Sequence, residues 1–170
     1  MIRTSLSVAL ISTLCLTALA VAQAAAPAPR LSIADTKELG TPLPYPYDEA
    51  ADANAAVDAA FARAKANGKR VLIDFGGNWC PDCRILAGVM ALSEVKPFLE
   101  AHFEIVSVDV GRFDRNLKIP ARFHVAKLAG VPWLVIADAN GTVSVSSYEV
   151  TDQHHTAPQA MVDWLARWAK

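Results

Sequence analysis

The chain has 170 residues, with 16 basic and 17 acidic side chains, a formal net charge of −1 and 53% hydrophobic residues. That near-neutral balance, with no polybasic run, indicates neither nucleic acid nor an anionic membrane surface as a partner. Ten prolines and three cysteines set the remaining bounds, because the cysteines are too few for a disulfide-stapled scaffold.

Residues 1–24 read as a secretory signal peptide. Arg3 supplies the positive start, Leu6 to Val21 is apolar, and Ala22-Gln23-Ala24 fits the small-x-small cleavage rule. Cutting after Ala26 instead would place Pro27 next to the scissile bond. A mainly apolar run of about sixteen residues is marginal for spanning about 30 Å of hydrocarbon, so a cleaved signal is expected rather than an anchor, with no membrane span afterwards. Cys15 lies inside this segment and follows Leu14, where a lipoprotein signal needs a small residue. The expected mature chain is 170 − 24 = 146 residues with net charge near −2, the size of one domain with a full core. Its two cysteines form one exchangeable pair, and the expected location is the periplasm.

Residues 25–47 are rich in Ala and Pro. Pro27, Pro29, Pro42, Pro44 and Pro46 block regular helix or central strand, so a leader or spacer is expected, partly packed through Tyr45 and Tyr47. The domain proper is expected over 48–170. Its first helix is read over 48–66, with Val57, Ala60, Phe61 and Ala64 on one face and Asn67-Gly68 as the stop. Val71 to Phe75 is an apolar run broken only by Asp74, as expected of a central strand covered on both faces. Gly76-Gly77-Asn78 turns the chain into a helix over 80–92 that opens with Trp79-Cys80-Pro81-Asp82-Cys83. A short helix over 94–102, a strand over 103–110, a polar loop over 111–116 and a short helix over 119–123 follow. A hairpin of strands 133–137 and 142–147 turns at Asp138-Ala139-Asn140-Gly141. The last helix has Thr156 and Gln159 at capping-box spacing and Met161, Trp164, Leu165 and Trp168 on one face. Those tryptophans are read as core against the sheet.

Two thiols two residues apart at a helix N-terminus can close and reopen a small disulfide ring. The unpaired N–H groups and the positive end of the helix dipole favour a thiolate on the first sulfur. Cys80 is therefore the expected nucleophile and Cys83 its resolving partner. Half of a zinc site looks the same, but zinc needs about four ligands, and His154 and His155 lie about seventy residues away. No metal is expected, and no motif calls for a cofactor. Copper carriage would need a His or Met beside the thiols, and Met90 is too far along the helix. A structural disulfide across so short a loop would remove little chain entropy.

The order of elements and the dithiol together resemble the thioredoxin family over roughly Asp48 to Lys170. Three matches carry the resemblance: Trp79-Cys80-Pro81-Asp82-Cys83, the acid Asp74 six residues before the first cysteine, and Gly130-Val131-Pro132 ahead of the hairpin strand. The resemblance implies an α/β thioredoxin fold, a central mixed sheet flanked by helices. It also implies that Asp74 sits beneath Cys83 as its proton acceptor through a water, and that Pro132 is the cis-proline beside the sulfurs. Val131 then offers its backbone to an extended substrate, Trp79 forms an apolar lip, and Pro81 and Asp82 complete the substrate-facing rim.

The Pro-Asp pair between the cysteines departs from the Gly-Pro of reducing thioredoxins and the Pro-His of the periplasmic oxidant. A carboxylate at Asp82 opposes the Cys80 thiolate and pushes the pair toward the reducing side, with Arg84 expected to offset part of it. Between Phe123 and Pro132 the chain is read as a few residues longer than ordinary thioredoxin. The expectation is an exported, monomeric thiol–disulfide oxidoreductase of the reductase or isomerase side. It would exchange with protein thiols and disulfides and be served by an inner-membrane electron donor or acceptor. The other class considered is a redox-inactive peptide-binding or chaperone module on the same fold.

Overall fold

The computed structural model describes residues 26–148, 150 and 157–169. The signal segment, Thr156, His154 and His155 lie outside the described residues.

Helix α1 spans Ala53–Asn67, later than expected because Asp48 is used in a turn of its own. Its carboxylate accepts from Ala50 N–H at 2.9 Å, leaving Asp52 to cap the helix through Ala55 N–H at 3.0 Å. Gly68 ends it in the left-handed conformation at φ 76°, which glycine adopts without a Cβ penalty. Ala53, Val57, Ala60 and Ala64 are buried.

Strand β1 spans Arg70–Gly76, and every residue after Arg70 is buried. Helix α2, Pro81–Met90, starts with Cys80 as its cap and Pro81 in the first turn, where a missing N–H costs nothing. Helix α3 spans Lys96–His102 and leads into β2, Phe103–Asp109. A 3-10 turn over Pro120–Phe123 precedes β3, Trp133–Ala137, and β4, Val143–Ser147. Helix α4 spans Pro158–Ala166.

The four strands lie in the order β2-β1-β3-β4, with β1 parallel to β2 and antiparallel to β3. The sheet is therefore mixed, with β1 inside it. Alternation along β1 sends Val71, Ile73 and Phe75 to one face, with α1, and Leu72 to the other, with α2 and α4. Asp74 shares the Leu72 face and is placed among apolar groups by strand period alone. It pairs in register with Ser107 on β2 and Leu134 on β3.

The stretch 26–47 is no spacer. It lies on the α2 and α4 side of the sheet, with Leu39 and Tyr47 buried and Leu31, Ile33 and Leu43 packed on the core. Apart from a 3-10 turn over Thr36–Glu38, capped by Asp35, it has no regular element, and several of its backbone groups bond to side chains instead. Gln159 accepts from Leu31 N–H at 3.0 Å and donates to Pro29 O at 3.1 Å. Glu94 accepts from Ser32 N–H and Oγ at 2.9 Å each, and Arg84 donates to Leu43 O at 2.8 Å and Pro44 O at 3.2 Å. Two expectations change with this. Gln159 ties down the N-terminal stretch, and the cap position of α4 falls on Ala157, which makes no side-chain cap bond. Arg84 stacks over Tyr45 at 4.0 Å and holds the same stretch, so it is engaged away from the Asp82 charge it was expected to offset.

Candidate active site

The centre of the site is the N-terminus of α2. Both cysteines are free thiols. Cys80 is the helix cap, and its sulfur accepts from Cys83 N–H at 3.3 Å, one of the donors that a helix leaves unpaired at its start. On its other side the Cys80 thiol lies 3.5 Å from Val131 O, and the Val131–Pro132 peptide is cis. Cys83, one turn further on, is fully buried.

Hydrogen bonding from the Cys83 thiol comes first in bringing Cys80 down to about 7, against burial, which raises it. The backbone N–H groups of Cys83 and Asp82 add to the lowering, while the Asp82 carboxylate works against it. Cys83 moves the other way, because donating to Cys80 and being buried both favour its protonated form. The two sulfurs thus divide the work of a dithiol: one ionises, the other holds its proton.

Beneath them lies Asp74, 2% exposed, which burial pushes up to about 7. A hydrogen bond from Tyr47 lowers it in part: the phenol donates to Asp74 Oδ2 at 2.9 Å. Tyr47 belongs to the Pro-rich stretch and was read from sequence only as packing. No spacing rule marks it, and its long-range partner Asn78, in the turn before the motif, holds its backbone there. Asn78 accepts from Tyr47 N–H at 3.2 Å and donates to Tyr47 O at 2.8 Å. A side-chain hydroxyl, which the sequence did not suggest, thus stands beside both Asp74 and Cys83. Gly76 makes room for it: a Cβ there would stand 2.2 Å from Tyr47 Oη and 2.8 Å from Cys83 Sγ.

The rim is built from loops. Trp79 is 41% exposed, its indole N–H donates to Gly111 O at 2.6 Å, and Arg112 and Phe113 flank its ring. Asp109, paired with Arg115 at 3.0 Å, accepts from Gly111 N–H and braces that loop. Pro81 and Asp82 face solvent, and Pro132 is buried. The structure therefore brings Asp74, Trp79, Cys80, Pro81, Asp82, Cys83, Val131 and Pro132 to one end of the sheet. Beside the rim, Phe113, Leu117, Pro120, Val125 and Leu128 line an apolar cleft of about 340 Å³, built partly by the loop between Phe123 and Pro132. Among the described residues no group of three or more His, Cys, Asp or Glu is placed to hold a metal.

A mixed sheet whose central strand leads into a helix capped by one thiol of a Cys-x-x-Cys pair defines a thiol–disulfide oxidoreductase on a thioredoxin fold. Residues 52–139 match the thioredoxin-like family model, and the chain belongs to that family. It is similar to a thioredoxin of Alicyclobacillus acidocaldarius subsp. acidocaldarius, 33% identical over 79 residues, covering 46% of this chain and 68% of that protein. It is also similar to a probable nucleoredoxin 3 of Oryza sativa subsp. japonica, 28% identical over 79 residues, covering 45% of this chain but only 15% of that protein. Among solved structures, the disulphide isomerase of Xylella fastidiosa Temecula1 superposes with a TM-score of 0.69 at 35% identity. That match covers 74% of this chain and 97% of the other.

Proposed function

We propose that this chain is an exported thiol–disulfide oxidoreductase that exchanges disulfides with protein substrates and works on the reductase or isomerase side. The observation that carries the exchange chemistry is the pair of free thiols at the start of α2, with Cys80 capping the helix through Cys83 N–H and Cys83 buried one turn on. In this reading the Cys80 thiolate attacks a substrate disulfide, forms a mixed disulfide and releases one substrate thiolate. Cys83 gives up its proton toward Asp74 and attacks Cys80 Sγ. The ring closes, the second substrate thiolate leaves, and two electrons have passed to the substrate. Trp79, Pro81, Asp82 and Pro132 frame the approach, and the Val131 backbone pairs with an extended substrate segment.

The reducing or isomerising direction is supported by Asp82, whose charge disfavours the Cys80 thiolate, and by the similarity to the Xylella disulphide isomerase. Export is supported by the signal-like features of residues 1–24, with cleavage after Ala24 and a periplasmic location. The folded unit then begins close to that cut, since Leu31 already bonds to Gln159. No helix among the described residues is long and apolar enough to cross a membrane. A monomer acting as reductant there draws its electrons from an inner-membrane donor.

Insulin reduction driven by dithiothreitol tests the activity. The wild type should precipitate the insulin B chain, Cys80→Ser should abolish turnover, and Cys83→Ser should accumulate mixed disulfides. A wild type inactive in both reduction and oxidation would overturn the reading. Mass spectrometry of the protein from a periplasmic extract should find an N-terminus at Ala25, and a retained Met1 on membrane-bound protein would overturn export.

A further inference from the structure

We propose that Tyr47 is a catalytic residue of the resolving step, its hydroxyl carrying the Cys83 proton to Asp74. This rests on the dithiol reading above and names the atom through which the buried thiol is deprotonated. Cys83 is fully buried and Tyr47 only 2% exposed, so bulk solvent does not reach the sulfur from the floor of the site. The Tyr47 hydroxyl donates to Asp74 Oδ2 at 2.9 Å, and Tyr47 and Cys83 pack in one buried cluster. Both Oη and Cys83 Sγ crowd the space above Gly76 that a Cβ would take. Asn78 clamps the Tyr47 backbone at both N–H and C=O, and the ring above it is buried.

The donor direction fits a relay. A hydroxyl already donating to a carboxylate has its lone pairs free to accept from a thiol. As Cys83 S–H gives its proton to Tyr47 Oη, Tyr47 O–H passes its own to Asp74, and the phenol ends neutral, as it began. The Cys83 electron pair forms the bond to Cys80 Sγ, and the Cys80–substrate bond breaks with its electrons on the substrate thiolate. One proton has moved to Asp74 and two electrons to the substrate. Burial holds the phenol far above its ordinary range, so it passes a proton rather than storing a charge. Asp74, at about 7, accepts near neutrality. Asp74 also lines an open cleft of about 250 Å³ with Pro44, Pro46, Glu100 and Ser107, and the proton leaves by that side.

The test mixes reduced protein with excess oxidised glutathione, followed by acid quenching, alkylation and mass spectrometry. It counts the Cys80–glutathione adduct against the Cys80–Cys83 disulfide over time. The wild type should show little adduct and a resolving rate that levels off above about pH 7. Tyr47→Phe keeps the ring but should resolve about 100-fold more slowly, accumulate the adduct, and show a rate still climbing with pH. Asn78→Ala leaves the hydroxyl in place but frees its backbone. It should lower the ratio of resolution to attack several-fold, and it serves as the test if Tyr47→Phe fails to fold. Resolution at the wild-type rate and pH profile in a folded Tyr47→Phe, or an unchanged ratio in Asn78→Ala, would overturn the relay. A wild type that forms neither adduct nor disulfide would instead bring down the dithiol reading itself.

Discussion

The rim and the floor of the site use one helical turn in opposite ways. At the rim, the Cys80 sulfur accepts from Cys83 N–H and lies 3.5 Å from Val131 O. At the floor, Cys83 meets side chains: Asp74 from the central strand and Tyr47 from the Pro-rich stretch. The Cys83 thiol and, to a lesser degree, the N–H groups of Cys83 and Asp82 donate to the Cys80 sulfur, so the rim favours a thiolate. At the floor, the bond from Cys83 to Cys80 and burial outweigh the Gly77 N–H and keep the proton on sulfur, and burial does the same for the Asp74 carboxyl. A dithiol needs both behaviours, and a helix N-terminus set over a buried strand supplies them within four residues.

The sharpest way to break this contrast is at the floor. Asp74→Asn removes the acceptor, and resolution of mixed disulfides should fall about 100-fold or more with attack by Cys80 retained. Stability should move the opposite way. The carboxyl ordinarily titrates at 3.8 and is held at about 7 when folded, so the fold binds its proton more tightly than the unfolded chain does. Wild-type stability therefore falls as pH rises from about 4 through about 7, and the variant is spared that loss. Urea titrations from about pH 5 to about pH 8 should show a gap in favour of Asp74→Asn that grows by on the order of 2 kcal/mol. A gap that is constant with pH would mean that the floor does not hold the proton.

A smaller effect is expected from crowding the floor without changing its charges. Gly76→Ala drives a methyl into Tyr47 Oη and Cys83 Sγ, and should cost about 1–3 kcal/mol in denaturant unfolding. A neutral result would show that Tyr47 moves aside easily, weakening the picture of a fixed floor.

The smallest effect belongs to the rim. Asp82 is exposed, and its carboxylate raises Cys80 less than the hydrogen bonds from Cys83 lower it. Asp82→His should make the protein more oxidising by about 30 mV, a tenfold change in the exchange equilibrium with glutathione. An unchanged potential would show that the Asp82 charge does not set the rim, and the reducing preference would lose its main support.

The rim was more legible in the sequence than the floor. Trp79 and Cys80 follow from a local motif, and Pro132 from the family resemblance. Asp74 follows from an acid in an otherwise apolar run, because a central strand has no solvent face to offer it. Tyr47 does not follow, since a Pro-rich stretch has no period and its partners Asn78 and Asp74 lie 31 and 27 residues away. Arg84 was misread for a related reason. Sequence places it beside Asp82, but the carbonyls of Leu43 and Pro44 need donors, and a guanidinium with several N–H groups serves both. The same unmet backbone groups explain why Gln159 faces the N-terminal stretch. Irregular segments are satisfied by distant side chains, and no local pattern announces which.

The division of labour between the two thiols is tested most directly by alkylating the reduced protein with iodoacetamide across pH and locating the label by mass spectrometry. Cys80 should react first, with half-maximal rate at a pH of about 7, while Cys83 stays unlabelled until the protein unfolds. Labelling of Cys83 first, or a Cys80 midpoint at the ordinary thiol value of 9.0, would contradict it.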